Sequence, residues 1–200
     1  MLVDDHRLFA KSIAIALDGY DEIDNFITDS DVQNSDKTVQ NEKIDIVLMD
    51  INLGSLSGAD GLETADKLLK SNPGLKVIVL TGFNLPVYRH EAKKIGISGF
   101  LNKDISPDEL VTSLRRIFRG ETCFPPEDSN IVLEELTITE KKILQLISAG
   151  KKRKTVAAEL YMSERTLSNH LQHIFEKLNV KSTVEAVTKA MQLGYIPPLC

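Results

Sequence analysis

Cysteine is scarce in this chain, with only Cys123 and Cys200 among 200 residues. Two thiols so far apart supply neither a disulfide framework nor the paired spacing of a thiolate metal site, and no role falls to them. Long hydrophobic runs are missing too: none approaches the ~18 residues of a membrane span. Asp4, Asp5, His6 and Arg7 interrupt the N-terminus before a signal-peptide core can form. Internal repeats and low-complexity tracts do not occur. These absences lead to the expectation of a cytoplasmic chain without a membrane partner. Met1 stands directly before the first apolar pair, which suggests that the start is trimmed.

What remains is an ordinary globular composition, 42% hydrophobic and 26% charged, in a length that suits one or two domains. The net charge of −5 is unevenly spread. Residues 1–122 hold 14 basic against 20 acidic side chains, residues 123–135 hold four acids and no base, and residues 136–200 hold ten bases against five acids. An acidic front and a basic back point to a cation-handling or signalling module joined to a module that meets a polyanion, nucleic acid first.

The front alternates short β-branched runs with amphipathic stretches. Strands are predicted at 1–4, 23–28, 44–50, 76–81 and 99–101. Phe9, Ile13 and Leu17, then Leu62, Ala65 and Leu69, then Leu110, Leu114 and Phe118 mark helical stripes between them. IDIVLM and KVIVL are continuously apolar, as parallel strands buried on both faces are. The fold class is therefore α/β, a doubly wound five-stranded parallel sheet with five helices over residues 1–120. The proline-bearing acidic stretch 121–135 reads as a linker. Beyond it β signals vanish, and 136–200 reads as a smaller all-α domain with helices at 139–149, 154–161, 164–179 and 183–193. Ser163 is a good N-cap for the third of these, whereas Thr139 and Lys142 make no capping box for the first.

Sheets of this class place ligands beyond the carboxyl ends of their strands. Asp4 and Asp5 close the first strand, Asp50 the third and Thr81 the fourth, and Lys103 follows the fifth. Converging carboxylates need a cation, and hard oxygen donors suit Mg²⁺. A lysine and a hydroxyl beside such a cation form a receptor for phosphoryl oxygens, with a carboxylate nucleophile to accept the group.

LVDDH, VLMD, VLTG and FLNK, in this order and spacing, resemble the receiver domain of two-component response regulators, of flavodoxin-like fold, over residues 1–122. The resemblance implies Asp50 as phosphoacceptor and Mg²⁺ ligand, Asp5 as a direct ligand, the Asn52 backbone carbonyl as another, and Asp4 as a ligand through water. It implies that Lys103 and Thr81 bind the phosphoryl group and that Thr81 and Phe100 act as the switch pair. His6 and His90 have no place in the pattern and are expected on the surface. The loop DINLGSLSGADG departs from the family in being glycine-rich, proline-free and about three residues longer; greater mobility there, and weaker metal binding, are expected.

In the back half, Leu167, Leu171, Ile174 and Leu178 form one stripe, which turns Arg165, Ser168, Asn169, Gln172 and Glu176 to the other side. Lys151, Lys152, Arg153 and Lys154 cluster before the second helix, with Lys177 and Lys181 near the end of the third. LTITE, MSERTLSNH, IFEKLNV and VEAVTKAMQLGYI resemble the LuxR-type helix-turn-helix, and the whole chain resembles the NarL/FixJ group of response regulators. Arg165, Ser168, Asn169 and Gln172 are then expected in the major groove, and Lys152, Arg153, Lys154, Lys177 and Lys181 on phosphates. Ser168 stands where the family commonly has Lys, leaving Asn169 and Gln172 as specificity residues. His170 is expected in the core, and His173 fits either side. Val184, Val187 and Met191 form a last apolar stripe, which reads as core packing by its pattern and as a dimer face by the resemblance, two roles that one stripe can combine.

The expected function is a transcription regulator that accepts a phosphoryl group on Asp50 from a cognate sensor histidine kinase, then forms a homodimer on double-stranded promoter DNA. An alternative is a DNA-binding regulator whose receiver is structural and unphosphorylated. A hydrolase with an aspartyl nucleophile is disfavoured, because Asn52 stands where its general acid belongs and cannot donate and recover a proton.

Overall fold

The computed structural model describes residues 1–30, 34–53, 61–82, 84–126 and 133–197. Most of the long loop after Asp50, residues 127–132 of the linker, and Cys200 lie outside the described residues. The chain forms two compact units.

The first unit runs β1 (Leu2–Val3), α1 (Arg7–Leu17), β2 (Thr28–Asp29), α2 (Ser35–Asn41), β3 (Ile46–Met49), α3 (Gly61–Ser71), β4 (Lys76–Thr81), α4 (Pro86–Lys94), β5 (Gly99–Asn102) and α5 (Pro107–Phe118). The strands are all parallel in the order β2-β1-β3-β4-β5. Val47, Leu48 and Met49 of β3 and every residue of β4 after Lys76 are buried, so the continuous apolar runs do belong to strands covered on both faces. Ala10, Ile13 and Leu17 of α1 and Leu110, Val111 and Ile117 of α5 cover one face.

Several sequence expectations shift. The second strand is not at 23–28: only Thr28 and Asp29 pair with β1. Of the stripe expected on α5, Leu110 is buried and Leu114 packs against the core, but Ile117 takes the place of Phe118. Phe118 is 60% exposed and Ile117 is fully buried, because the helix, started by the Ser106–Glu109 capping box with Pro107 behind it, turns that edge inward. The linker also begins later than residue 121. Cys123 donates its N–H to Ser98 O at 3.0 Å and accepts from Phe100 N–H at 2.7 Å, adding a bridge outside β5. Gly99 is required there, since a Cβ would sit 2.7 Å from Ile117 Cδ1 and 3.2 Å from the Cys123 carbonyl.

The second unit is helical in its described part: α6 (Ile138–Ser148), α7 (Arg153–Glu159), α8 (Glu164–Leu178) and α9 (Thr183–Leu193). Its core gathers Ile143, Leu144, Val156, Leu167, Leu171, Ile174, Leu178 and Ala190. Ser163 and Ser182 cap α8 and α9 by accepting from Thr166 N–H and Glu185 N–H. Thr139 and Lys142 make no capping box, as expected, but α6 has one slightly earlier in the chain. The helix starts one residue earlier, and Thr137 and Glu140 form the box, with Glu140 N–H donating to Thr137 Oγ1 at 3.2 Å and Thr137 N–H to Glu140 Oε2 at 2.7 Å.

Candidate functional site

Parallel strands end on the same edge of the sheet, and the register here sets their terminal residues side by side. Asp50 N–H donates to Val3 O at 3.0 Å, and Lys103 N–H to Thr81 O at 3.0 Å. Asp4, Asp50 and Thr81 are all buried. Lys103 Nζ joins them, 2.8 Å from Asp4 Oδ2 and 2.7 Å from Asp50 Oδ2, with the Phe9 ring of α1 centred 4.9 Å away. One ammonium thus serves two carboxylates and cannot neutralise a third, Asp5.

The electrostatics follow from this shortage of positive charge. Burial pushes the Asp50 carboxyl above the ordinary aspartate range, against the opposing pull of its hydrogen bond from Lys103. Burial also works against the charge on Lys103, but Asp4 and Asp50 outweigh it and hold the ammonium above its ordinary value. Ligand atoms of Asp4, Asp5, His6 and Asp50 lie within 4.8 Å of one another. Among the described residues Asp5 Oδ1 is buried and accepts no hydrogen bond, although His6 Nδ1 stands 3.0 Å away. A buried carboxylate oxygen without a donor, beside two more carboxylates, fits a hard divalent cation.

His6 was expected to stand apart from this group and does not. Its N–H donates to Asp4 Oδ1 at 2.8 Å and its ring borders both aspartates, while its side chain remains 66% exposed. His90 is exposed, as expected. Phe100 is buried in the sheet, 1% exposed. Gly61 escaped the sequence reading altogether: a Cβ there would lie 1.9 Å from the Asp50 backbone oxygen. Asn52 is exposed, and its backbone supports the Asp50 carboxylate by a hydrogen bond.

In the helical unit Arg165, Ser168, Asn169 and Gln172 are exposed together on α8, opposite the buried stripe. Gln172 Nε2 donates to Glu176 Oε1 at 3.0 Å, and Ser168 Oγ donates back to the Glu164 carbonyl at 2.9 Å. Lys152, Lys154 and Lys181 are exposed. Arg153 Nη2 donates to Thr183 Oγ1 at 3.1 Å, and Lys151 pairs with Glu159 at 2.6 Å.

Lys177 needs correction. Rather than reaching outward it donates to Glu140 Oε2 at 2.7 Å and to the Glu135 carbonyl at 3.0 Å, so its charge is spent inside the unit. Burial raises the Glu140 pKa, but Lys177 and the Thr137 cap outweigh it and hold the carboxyl below the ordinary glutamate range. Val187 and Met191 pack against the core, whereas Val184 is 76% exposed. His170 is half-buried and His173 exposed.

Residues 1–115 match the family model of the response regulator receiver domain, and residues 134–190 that of bacterial regulatory proteins of the luxR family. The chain is similar to transcriptional regulatory protein DesR of Bacillus subtilis, 31% identical over 97% of this chain and 96% of the relative. Oxygen regulatory protein NreC of Staphylococcus carnosus is 26% identical over 96% of each. Among solved structures, response regulator ChrA of a heme-sensing two-component system matches at 30% identity with a TM-score of 0.54, covering 98% of this chain and 97% of that one. RcsB of Salmonella typhimurium matches in fold, with a TM-score of 0.66 at 22% identity over 94% and 95% of the two chains. No described helix is long and apolar enough to cross a membrane.

Proposed function

Because the chain belongs to the bacterial response regulators that join a receiver domain to a LuxR-type domain, a family of transcriptional regulators, we propose that Asp50 is its phosphoacceptor and that the modification controls DNA binding by the helical unit. The supporting observation is Lys103 Nζ held between Asp4 and Asp50 at 2.8 and 2.7 Å. A cation so placed can pass from the carboxylates to an incoming phosphoryl oxygen.

An Asp50 carboxylate oxygen attacks phosphorus. The bond from phosphorus to the donor nitrogen of a kinase phosphohistidine breaks as the aspartyl oxygen–phosphorus bond forms, and the imidazole leaves. Lys103 exchanges its Asp50 contact for a phosphoryl oxygen, and the Thr81 hydroxyl turns to another. Asp4, Asp5, Asp50 and the Asn52 carbonyl would hold Mg²⁺. When bound it neutralises charge between the carboxylate and the phosphoryl oxygens. Movement of Thr81 toward the phosphate frees the space into which Phe100 shifts.

For DNA, the exposed face of α8 enters the major groove. Arg165, Ser168, Asn169 and Gln172 meet base edges, while Lys152, Arg153, Lys154 and Lys181 meet phosphates. Lys177 is left out because of its pair with Glu140. Val184 contributes to a homodimer contact.

Incubation with acetyl phosphate and Mg²⁺, followed by intact-mass measurement, tests the chemistry. One phosphoryl group should be gained, and the gain should disappear with a chelator or in Asp50→Ala. Unchanged labelling of Asp50→Ala would sink the assignment. A wild-type chain that takes no label from acetyl phosphate or from any sensor kinase would instead point to a structural receiver.

A further inference from the structure

Tyr161 lies in the turn between α7 and α8 and is 98% exposed. Its neighbours Leu160 and Met162 both pack against the helical core, so the chain is anchored on either side and Tyr161 alone projects. Its backbone has φ 53°, the left-handed region. Asn179, the αL residue that ends α8, is of a type that tolerates this conformation; an aromatic residue does not.

A singly exposed tyrosine needs no explanation. A tyrosine held at positive φ with no burial in return does, because glycine or asparagine would serve folding better on both counts. Its side chain is therefore of use to something outside the isolated unit. The surroundings indicate what. Two residues later Ser163 caps the N-terminus of α8, whose outer face carries Arg165, Asn169 and Gln172, and exposed Lys152 and Lys154 begin α7. In a docked helix-turn-helix the second helix enters the groove by its N-terminal end while the first crosses the backbone, which sets the intervening turn at the groove edge, over phosphates. Tyrosine hydroxyls are among the phosphate donors of such interfaces.

We propose that Tyr161 is a DNA-backbone contact, its hydroxyl donating to a phosphate oxygen where α8 enters the groove. The inference rests on the DNA-binding reading above and adds to it a neutral contact that fixes the entry of the helix. A neutral hydroxyl displaces no counterion, so its removal weakens binding without altering the salt dependence, unlike removal of a lysine.

The test uses the full chain and a mixed-sequence duplex, followed by fluorescence anisotropy at several salt concentrations. Tyr161→Phe should bind about tenfold more weakly, with the slope of log affinity against log salt unchanged. Tyr161→Asn should bind as weakly and yet unfold at a higher denaturant concentration than the wild type, because the backbone strain is relieved. Wild-type binding with Tyr161→Phe within twofold of it would overturn the inference and assign Tyr161 to a protein partner. A lower unfolding midpoint for Tyr161→Asn would overturn it as well, by giving the tyrosine a folding role. Absence of duplex binding by the wild-type chain would defeat the DNA-binding reading, and this inference with it.

Discussion

Gly61 and Asp50 show how closely the acceptor site depends on single residues. A Cβ at position 61 would meet the Asp50 carbonyl oxygen at 1.9 Å, and that oxygen is backbone, which cannot swing aside. Gly61→Ala should therefore displace the acceptor, lowering stability by about 1–3 kcal/mol and the rate of labelling by acetyl phosphate by ~100-fold or less, as an ångström of misplacement does. Intact-mass time courses and urea titrations read the two effects; a variant that labels at the wild-type rate would show that the backbone adjusts freely. Asp50 itself carries the opposite sign for folding. Its folded pKa is raised by burial among like charges, so the folded state binds more protons than the unfolded one as pH rises through that window, and the ionised form costs stability above it. Asp50→Asn should consequently raise the urea midpoint at pH 7 while abolishing labelling. The strand-end aspartates were legible because residue type and position carry their meaning. Gly61 was not, since a glycine in a glycine-rich loop does not disclose which carbonyl it will face, and His6 comes to border Asp4 only through the turn into α1.

At the scale of elements, the pairing of α6 with α8 decides the helical unit. Glu140, 3% exposed, closes the α6 capping box and accepts from Lys177 on α8. Its folded pKa lies below the ordinary value of 4.5, so its contribution is fully present above that value and fades as pH falls through the lower folded one. Glu140→Gln should cost about 2–4 kcal/mol at neutral pH, and the gap from wild type should narrow in acid, below the ordinary glutamate range, as the wild-type carboxyl takes up protons. Urea unfolding at neutral and acid pH checks this; a gap independent of pH would mean that the charge of the Glu140–Lys177 pair is not what the substitution removes. Such a pair is invisible in sequence because 37 positions separate its partners, and Lys177 read alone resembles any solvated helix-end lysine. Buried strands were the easier reading: β3 and β4 are continuous apolar runs, and their burial on both faces leaves one solution. β2 contributes two residues to the sheet edge, too few for any period, and at the end of α5 Phe118 was read for Ile117 because both continue a helical spacing from Leu110 and Leu114.

Across the whole molecule charge is divided by unit, and this constrains how phosphorylation can act. Residues 1–122 carry 20 acids against 14 bases, residues 123–135 four acids, and residues 136–200 ten bases against five acids. The full chain, at −5, approaches DNA as a net anion although its helical unit is cationic. The buried core of the helical unit comes from residues 133–200 apart from Val87, so residues 133–200 alone should fold and bind a mixed-sequence duplex more tightly than the unphosphorylated full chain, with the advantage shrinking as salt screens the acidic half. A phosphoryl group of about two negative charges on Asp50 takes the place of the single carboxylate charge, a net gain of about one negative charge. Long-range electrostatics would then weaken DNA binding on phosphorylation. Any gain must arise from differential stabilisation of one receiver state over another, because a ligand shifts an equilibrium only by its differential affinity, and the state proposed here is one that favours dimers. Phosphorylated chain should therefore sediment as a dimer at concentrations where the unmodified chain is monomeric, and its binding to paired half-sites should steepen with protein concentration while binding to a single half-site stays flat or falls. Equal gains on single and paired half-sites, with a monomer throughout, would exclude dimerisation as the coupling and place the effect in release of the helical unit.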